Sequence, residues 1–278
     1  MCKYLWDKGF DCNLLPWNRK FHTQELAEFE DCYDLLVTTP TAWTYLKNNL
    51  NYNPSKIVMV AHGEKDLKDF LEGSRQEEFE LFYQYAVVSN WLKDKSKELG
   101  IDKIPKVINL GINTRRYDQP ISQRLETVGY AGTFNVRHPS EVKRPHLIQI
   151  AVEKAGLKLK IAEHVNYSFV TMPGFYNSVD AIMLASQMEG AGLPMLEAGA
   201  AGRLVISTPV GHWNEKVTDK GGIALPMDEN LYIEKAVDVL TFYKNNPEAY
   251  RKKCQEIKDH SDSYDWRHVI DNWVDLLS

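Results

Sequence analysis

Cysteine is scarce. The 278 residues include four, Cys2, Cys12, Cys32 and Cys254, with no Cys-x-x-Cys pair and no Cys/His group at zinc-ligand spacing. A disulfide framework and a structural zinc site are therefore not expected, and the thiols read as buried or idle in a reducing compartment. Long apolar runs are missing too: none approaches the ~18 residues that a bilayer-spanning helix needs. The opening residues, Met1-Cys2-Lys3-Tyr4-Leu5-Trp6-Asp7, lack the apolar core and small-residue cleavage site of a secretory signal. A cytoplasmic protein with no transmembrane segment is the expectation. Positive charge is in no surplus either. Lys and Arg number 33 against 38 Asp and Glu, a formal net charge of -5, which disfavours a nucleic-acid partner. Internal repeats and low-complexity tracts are absent. What remains is a globular balance, 44% hydrophobic and 26% charged, in a chain long enough for two domains.

Short runs rich in Val, Ile and Leu alternate with longer amphipathic stretches. The runs at 34–38, 56–61, 85–89 and 106–110 predict one series of strands, and those at 127–131, 157–162, 179–184, 203–207 and 222–225 a second. Helices are predicted between them over 24–32, 41–50, 91–99, 143–155 and 195–201, and then at 230–244, 247–259 and 266–277. This alternation indicates parallel sheets covered on both faces. Gly111-Ile112-Asn113 closes the first series, and a polar stretch through Asp118-Gln119-Pro120 leads to the second. The expected architecture is α/β, with two Rossmann-like, doubly wound parallel-sheet domains facing a cleft. Their expected bounds are 1–118 and 119–260, with a last helical segment at 261–278. Ligands in such folds sit beyond the carboxyl ends of the strands.

The most informative stretch follows the run at 179–184 and leads into a helix: Ser186-Gln187-Met188-Glu189-Gly190-Ala191-Gly192-Leu193-Pro194-Met195-Leu196-Glu197-Ala198. It is a glycine turn at a helix N-terminus, where unpaired N–H groups and about half a unit of positive charge favour a phosphate. Gly190 and Gly192 allow close backbone approach, and Pro194 suits the first helical turn. Two carboxylates, Glu189 and Glu197, bracket the turn. Beside a phosphate a carboxylate is unfavourable unless it has other work, and accepting hydrogen bonds from sugar and ribose hydroxyls is such work. Taken alone, Glu-x7-Glu around a Gly-x-Gly turn is more often a plain turn with two solvated glutamates.

The surroundings change that weighing. Tyr176-Asn177-Ser178-Val179-Asp180, a strand, Ser186 and the segment above resemble the pattern Y-x-x-A-D, strand, S-x-x-E-G-x-G-L-P-x-x-E-A of the retaining GT-B glycosyltransferases of family 4. Downstream, Ala201-Gly202-Arg203-Leu204-Val205-Ile206-Ser207, Gly211-His212-Trp213-Asn214-Glu215 and Gly221-Gly222-Ile223-Ala224-Leu225 resemble that family's later strands and its G-G-x-x-E loop. Tyr264-Asp265-Trp266 is similar to the start of its last helix, which crosses back to the N-terminal domain. Upstream, Gly129-Tyr130-Ala131-Gly132-Thr133-Phe134-Asn135 ends the first strand of the second domain, and Val58-Met59-Val60-Ala61-His62-Gly63-Glu64 resembles the H-G-x-D strand end. The likeness runs in collinear order over roughly residues 56 to 278.

The resemblance implies a nucleotide-sugar donor, UDP- or GDP-linked, and a glycan, lipid or small-molecule acceptor. Its donor-binding residues would be Gly132, Gly190, Gly192, Leu193, Pro194 and Glu197, with Glu197 on the ribose. Glu189 and His62 would face the sugar, and Arg137 and Lys143 would hold the diphosphate in place of a metal. No cofactor and no metal ion is implied. Spacing leaves Arg144 as a substitute for Lys143. The chain departs from the family at Ala191, where an aromatic is common, and at Asn113, where an acid is usual. Its opening resembles a later family segment, so a shortened N-terminal domain without the first strand and glycine-rich loop is expected. A non-catalytic nucleotide-sugar-binding or partner module is therefore the alternative to an enzyme, with a GT-B sugar-nucleotide epimerase behind it.

Overall fold

The computed structural model describes residues 1–14, 30–73, 76–132, 142–163, 165–214 and 220–278. Contacts divide the chain into two units, Met1–Leu110 with Trp266–Ser278, and Gly111–Asp265.

The first unit opens with a short helix α1 (Cys2–Trp6), followed by strand β1 (Leu36–Thr38) and helix α2 (Pro40–Leu50). Thr39 caps α2 by accepting the Ala42 N–H, and Pro40 occupies its first turn, where no intrahelical donor is lost. Strand β2 (Ile57–Ala61) is buried at every residue, as a central parallel strand must be when both its faces are covered. Helix α3 (Glu64–Gly73) follows, then β3 (Gln84–Val87), α4 (Asn90–Glu98) and β4 (Lys106–Val107). The sheet is parallel throughout, in the order β1-β2-β3-β4. An aromatic cluster fills its core, with the Phe79 ring 4.4 Å from both Phe70 and Tyr85.

The second unit begins with α5 (Thr114–Tyr117) and runs through β5 (Thr127–Ala131), α6 (Pro145–Lys154), β6 (Lys158–Ala162), α7 (Met172–Asn177) and β7 (Ala181–Leu184). It continues with α8 (Leu193–Ala200), β8 (Leu204–Ser207), β9 (Ile223–Ala224), α9 (Glu229–Asn245) and α10 (Pro247–Asp262). Its five strands are parallel in the order β6-β5-β7-β8-β9. The chain leaves β5 for β6 on one side and returns to β7 on the other, so the carboxyl ends of β5 and β7 form the topological switch point of the sheet. Side-chain hydrogen bonds pin this unit. Asp180 accepts from Ser122 Oγ at 2.6 Å and from the Glu126 and Thr127 N–H groups. The Arg203 guanidinium donates to the carbonyls of Tyr176 and Pro120. A Cβ at Gly199 would stand 2.0 Å from Ser261 Oγ, so α8 and α10 approach more closely than any other residue would allow.

The last helix, α11 (Trp266–Leu277), belongs to the first unit. There Trp273 Nε1 donates to the Asn109 carbonyl at 3.0 Å and Lys8 pairs with Asp271. The predicted strands are present: β5 keeps its predicted bounds, β3 begins one residue early and ends two early, β4 is three residues shorter, and the others lose one or two residues at their ends. The helix predicted over 24–32 falls mainly outside the described residues; 30–32 are helical. Among the described residues no helix is long and apolar enough to cross a membrane.

Candidate active site

The glycine turn sits at the switch point. Gly192 has φ +73° and is the residue immediately before α8, with Leu193 and Pro194 in the first turn. Glycine reaches this left-handed conformation without the Cβ penalty that other residues incur. A Cβ here would also lie 2.3 Å from the Met195 methyl. Pro194 carries no N–H, and the Met195 N–H turns back to the Gly192 carbonyl at 3.0 Å. The amides left at the mouth of α8 are therefore those of Gly192 and Leu193, a smaller set than the Gly192-Leu193-Pro194 backbone first suggests.

Glu189 lies at the same mouth. Its Oε1 accepts from Lys143 Nζ at 2.5 Å and from Ser186 Oγ at 2.7 Å. Lys143 reaches it from the segment ahead of α6, and the Gln187 N–H ties the two loops together through the Val142 carbonyl at 2.7 Å. Lys143 and Arg144 are now distinguished by geometry. Arg144 is 2% exposed; its Nε donates to the Ala185 carbonyl and its Nη1 to the Met227 carbonyl, each at 2.7 Å. It braces the loops after β7 and before α9, and its backbone turns through φ +43° just ahead of Pro145. Its Nη2 is buried without a hydrogen-bond partner. Lys143 instead keeps 41% of its side chain exposed, within reach of a ligand at the turn.

Glu197, one turn into α8, is held by two phenols. Tyr117 donates to its Oε1 at 2.8 Å and Tyr176 to its Oε2 at 2.7 Å. Burial raises the carboxyl pKa above its ordinary value, while the two tyrosine hydrogen bonds and the charge of Arg116 oppose the rise. Each carboxylate oxygen has a second lone pair, so the grip leaves Glu197 able to accept from further hydroxyls.

His212 closes the turn from the other side. It is 3% exposed, and its Nδ1 lies 2.5 Å from the Ala191 carbonyl. A carbonyl only accepts, so the imidazole carries its proton on Nδ1. Burial depresses its pKa to about 4, and the ring packs edge-on against Tyr264 at 5.3 Å.

Of the remaining predicted residues, Gly132 follows β5, and its N–H donates to the Ala162 carbonyl at 3.1 Å. A Cβ there would meet the Tyr130 hydroxyl at 2.7 Å. Gly190 lies inside the turn between Glu189 and Ala191. His62 belongs to the first unit, just beyond β2, and its N–H donates to Asp66 Oδ2 at 2.9 Å. Asp66 thus bonds to the backbone at the start of α3. Arg137 lies outside the described residues. In the second unit, then, the fold brings together Lys143, Glu189, Gly190, Gly192, Leu193 and Pro194, with Glu197 further along α8. Sequence reasoning did not assign Ser186, Tyr117, Tyr176 or His212 to the site, and offered Arg144 only as a substitute for Lys143. Ser186 and Tyr176 were visible inside the motif, but nothing in their spacing told of a bond to a glutamate.

Residues 125–242 match the family model described as Glycosyl transferases group 1. No curated protein matches the sequence. Among solved structures, a variant of TarM from S. aureus superposes with a TM-score of 0.69 at 15% identity, over 91% of this chain and 58% of that one. HepE from Anabaena gives 0.67 at 12% identity, over 91% of this chain and 80% of that one. Sucrose-phosphate synthase from Thermosynechococcus elongatus gives 0.59 at 15%, over 92% and 79%. A further TarM structure is covered over 54% of its length, so this chain spans little more than half of the TarM chains it resembles. At such identities the likeness establishes the fold: two parallel-sheet, Rossmann-like α/β domains of the GT-B kind.

Proposed function

We propose that this chain is a glycosyltransferase that moves a sugar from a UDP- or GDP-sugar to a hydroxyl acceptor, with retention of anomeric configuration and without a metal ion. The observation that carries this reading is the Lys143–Glu189–Ser186 cluster at the glycine-capped mouth of α8. The group 1 match over residues 125–242 covers that cluster, and HepE, similar in fold, is described in complex with UDP and glucose and with UDP-glucose. TarM is described in complex with UDP.

In this reading the donor diphosphate lies against the Gly192 and Leu193 amides, with Lys143 and Arg137 as its counterions. The ribose hydroxyls donate to Glu197, and sugar hydroxyls to Glu189. As the C1–oxygen bond breaks, its electron pair departs with the nucleoside diphosphate, and the two cations stabilise the charge that collects there. The acceptor oxygen bonds to C1 on the face being vacated, and the acceptor proton passes to the departing phosphate oxygen. No carboxylate is needed as nucleophile, and retention follows from reaction on one face.

Calorimetric titration with a nucleoside-diphosphate panel, followed by product analysis with UDP- and GDP-sugars, tests the proposal. Nucleoside diphosphate should bind, and some donor should be hydrolysed even without acceptor. A chain that binds no nucleotide refutes the reading. Binding with no sugar released to water or acceptor would select the alternative of a non-catalytic nucleotide-sugar module.

A further inference from the structure

Between β6 and α7 the loop leaves three apolar side chains in solvent: Val165 is 85% exposed, Phe169 72% and Val170 78%. So dense an apolar exposure in a short loop marks a contact surface more often than a packing accident. The loop is nonetheless held in shape. Tyr167 packs edge-on against Phe175 at 5.2 Å, and the Ser168 N–H donates to Thr171 Oγ1 at 2.9 Å. Phe169 is fixed by Arg116, whose guanidinium lies 3.6 Å over the ring centroid and donates to the Phe169 carbonyl. Arg116 directly precedes Tyr117, the donor to Glu197 Oε1. One contiguous path thus runs from the carboxylate through Tyr117 and Arg116 to an aromatic ring with one face covered and most of its surface open. The loop also leaves the carboxyl end of β6, the strand beside β5, on the edge of the sheet where ligands of parallel α/β folds lodge.

We propose that Phe169, backed by Arg116, is the platform on which the nucleobase of the donor stacks. The proposal rests on the nucleotide reading of the site and deepens it. A base joined to a ribose on Glu197 must leave the ribose toward one of the walls nearby, and this wall offers a flat π-face stiffened by a cation behind it. Stacking is tolerant of base identity, because every base has a π-face. The platform therefore supplies affinity for any nucleoside diphosphate, and the choice between bases lies with other groups.

Titration of the full chain with UDP, GDP and ribose 5-diphosphate, which has no base, tests this. Phe169→Ala, an exposed substitution, should weaken UDP and GDP by about tenfold and leave ribose 5-diphosphate unchanged. Phe169→Trp should retain wild-type affinity for both nucleotides. Unchanged UDP and GDP binding by Phe169→Ala, with Glu197→Ala still weakening them, overturns the platform and spares the nucleotide site. An equal loss for ribose 5-diphosphate also overturns it, since the effect then does not pass through the base. A wild-type chain that binds neither nucleotide removes the underlying reading and the platform together.

Discussion

Acidification should loosen the second unit through His212. The ring is buried and bonded through Nδ1–H to the Ala191 carbonyl, with its pKa depressed to about 4 from an ordinary 6.5. In the unfolded chain the imidazole takes up a proton below about 6.5; in the fold it resists until about 4. Between those values the unfolded state binds more protons, so stability is fully present above 6.5 and is lost as pH falls. The whole shift corresponds to about 3 kcal/mol, of which about 2 kcal/mol is lost by pH 5, before ordinary carboxylates contribute much. His260, on the same Tyr264 ring at 5.4 Å and also lowered by burial, adds a smaller slope of the same sign. Urea unfolding measured from pH 7.5 to 5, read as about 2 kcal/mol of loss, is the assay. His212→Asn, which keeps an N–H able to reach Ala191 and cannot titrate, should flatten most of that slope. A wild-type stability that stays level across the window, or an Asn variant with an undiminished slope, would refute the reasoning.

Lys143→Ala should lower turnover by ~10²–10³, the usual effect of removing one partner of transition-state charge, and kinetics within a few-fold of wild type would count against its role. Nucleotide affinity should fall as acid protonates Glu197, at a pH above the ordinary carboxylate range because burial raises its pKa. Tyr117→Phe removes a bond that opposes the rise, so the acid limb of the affinity profile should move to still higher pH; an unmoved limb would show that the phenol only packs. Gly192→Ala should cost about 1–2 kcal/mol in unfolding free energy, since its φ of +73° disfavours any Cβ. A neutral effect there would mean that the turn is more pliable than its geometry implies.

Much of the fold was legible because period and composition carry it. Strand β2 reads as Ile-Val-Met-Val-Ala and is buried at every position, and β5 was predicted with its observed bounds. Helix α3 escaped because Glu64-Lys65-Asp66-Leu67-Lys68-Asp69-Phe70 offers only Leu67 and Phe70 to a core, too little apolar stripe to register. Helix α8 was predicted to begin near Met195; the structure starts it at Leu193, with Pro194 inside the first turn. At the site, the local turn was legible and the remote partners were not. Tyr117 meets Glu197 across 80 residues of chain, and His212 meets Ala191 across 21. Such pairs are made by the sheet order, which places α5, α7 and α8 side by side, and no local pattern announces them. Lys143 and Arg144 read alike as adjacent cations; only the structure shows Arg144 as a buried brace, at a residue where the backbone turns left-handed.

The contact between Lys143 and Glu189 pairs the ammonium with a resident carboxylate at the mouth of α8. On the proposed function, an arriving diphosphate would have to win the ammonium group from that carboxylate, and a departing one would hand it back. Loading and discharge would then be a swap of counterions, with the returning glutamate competing against product retention.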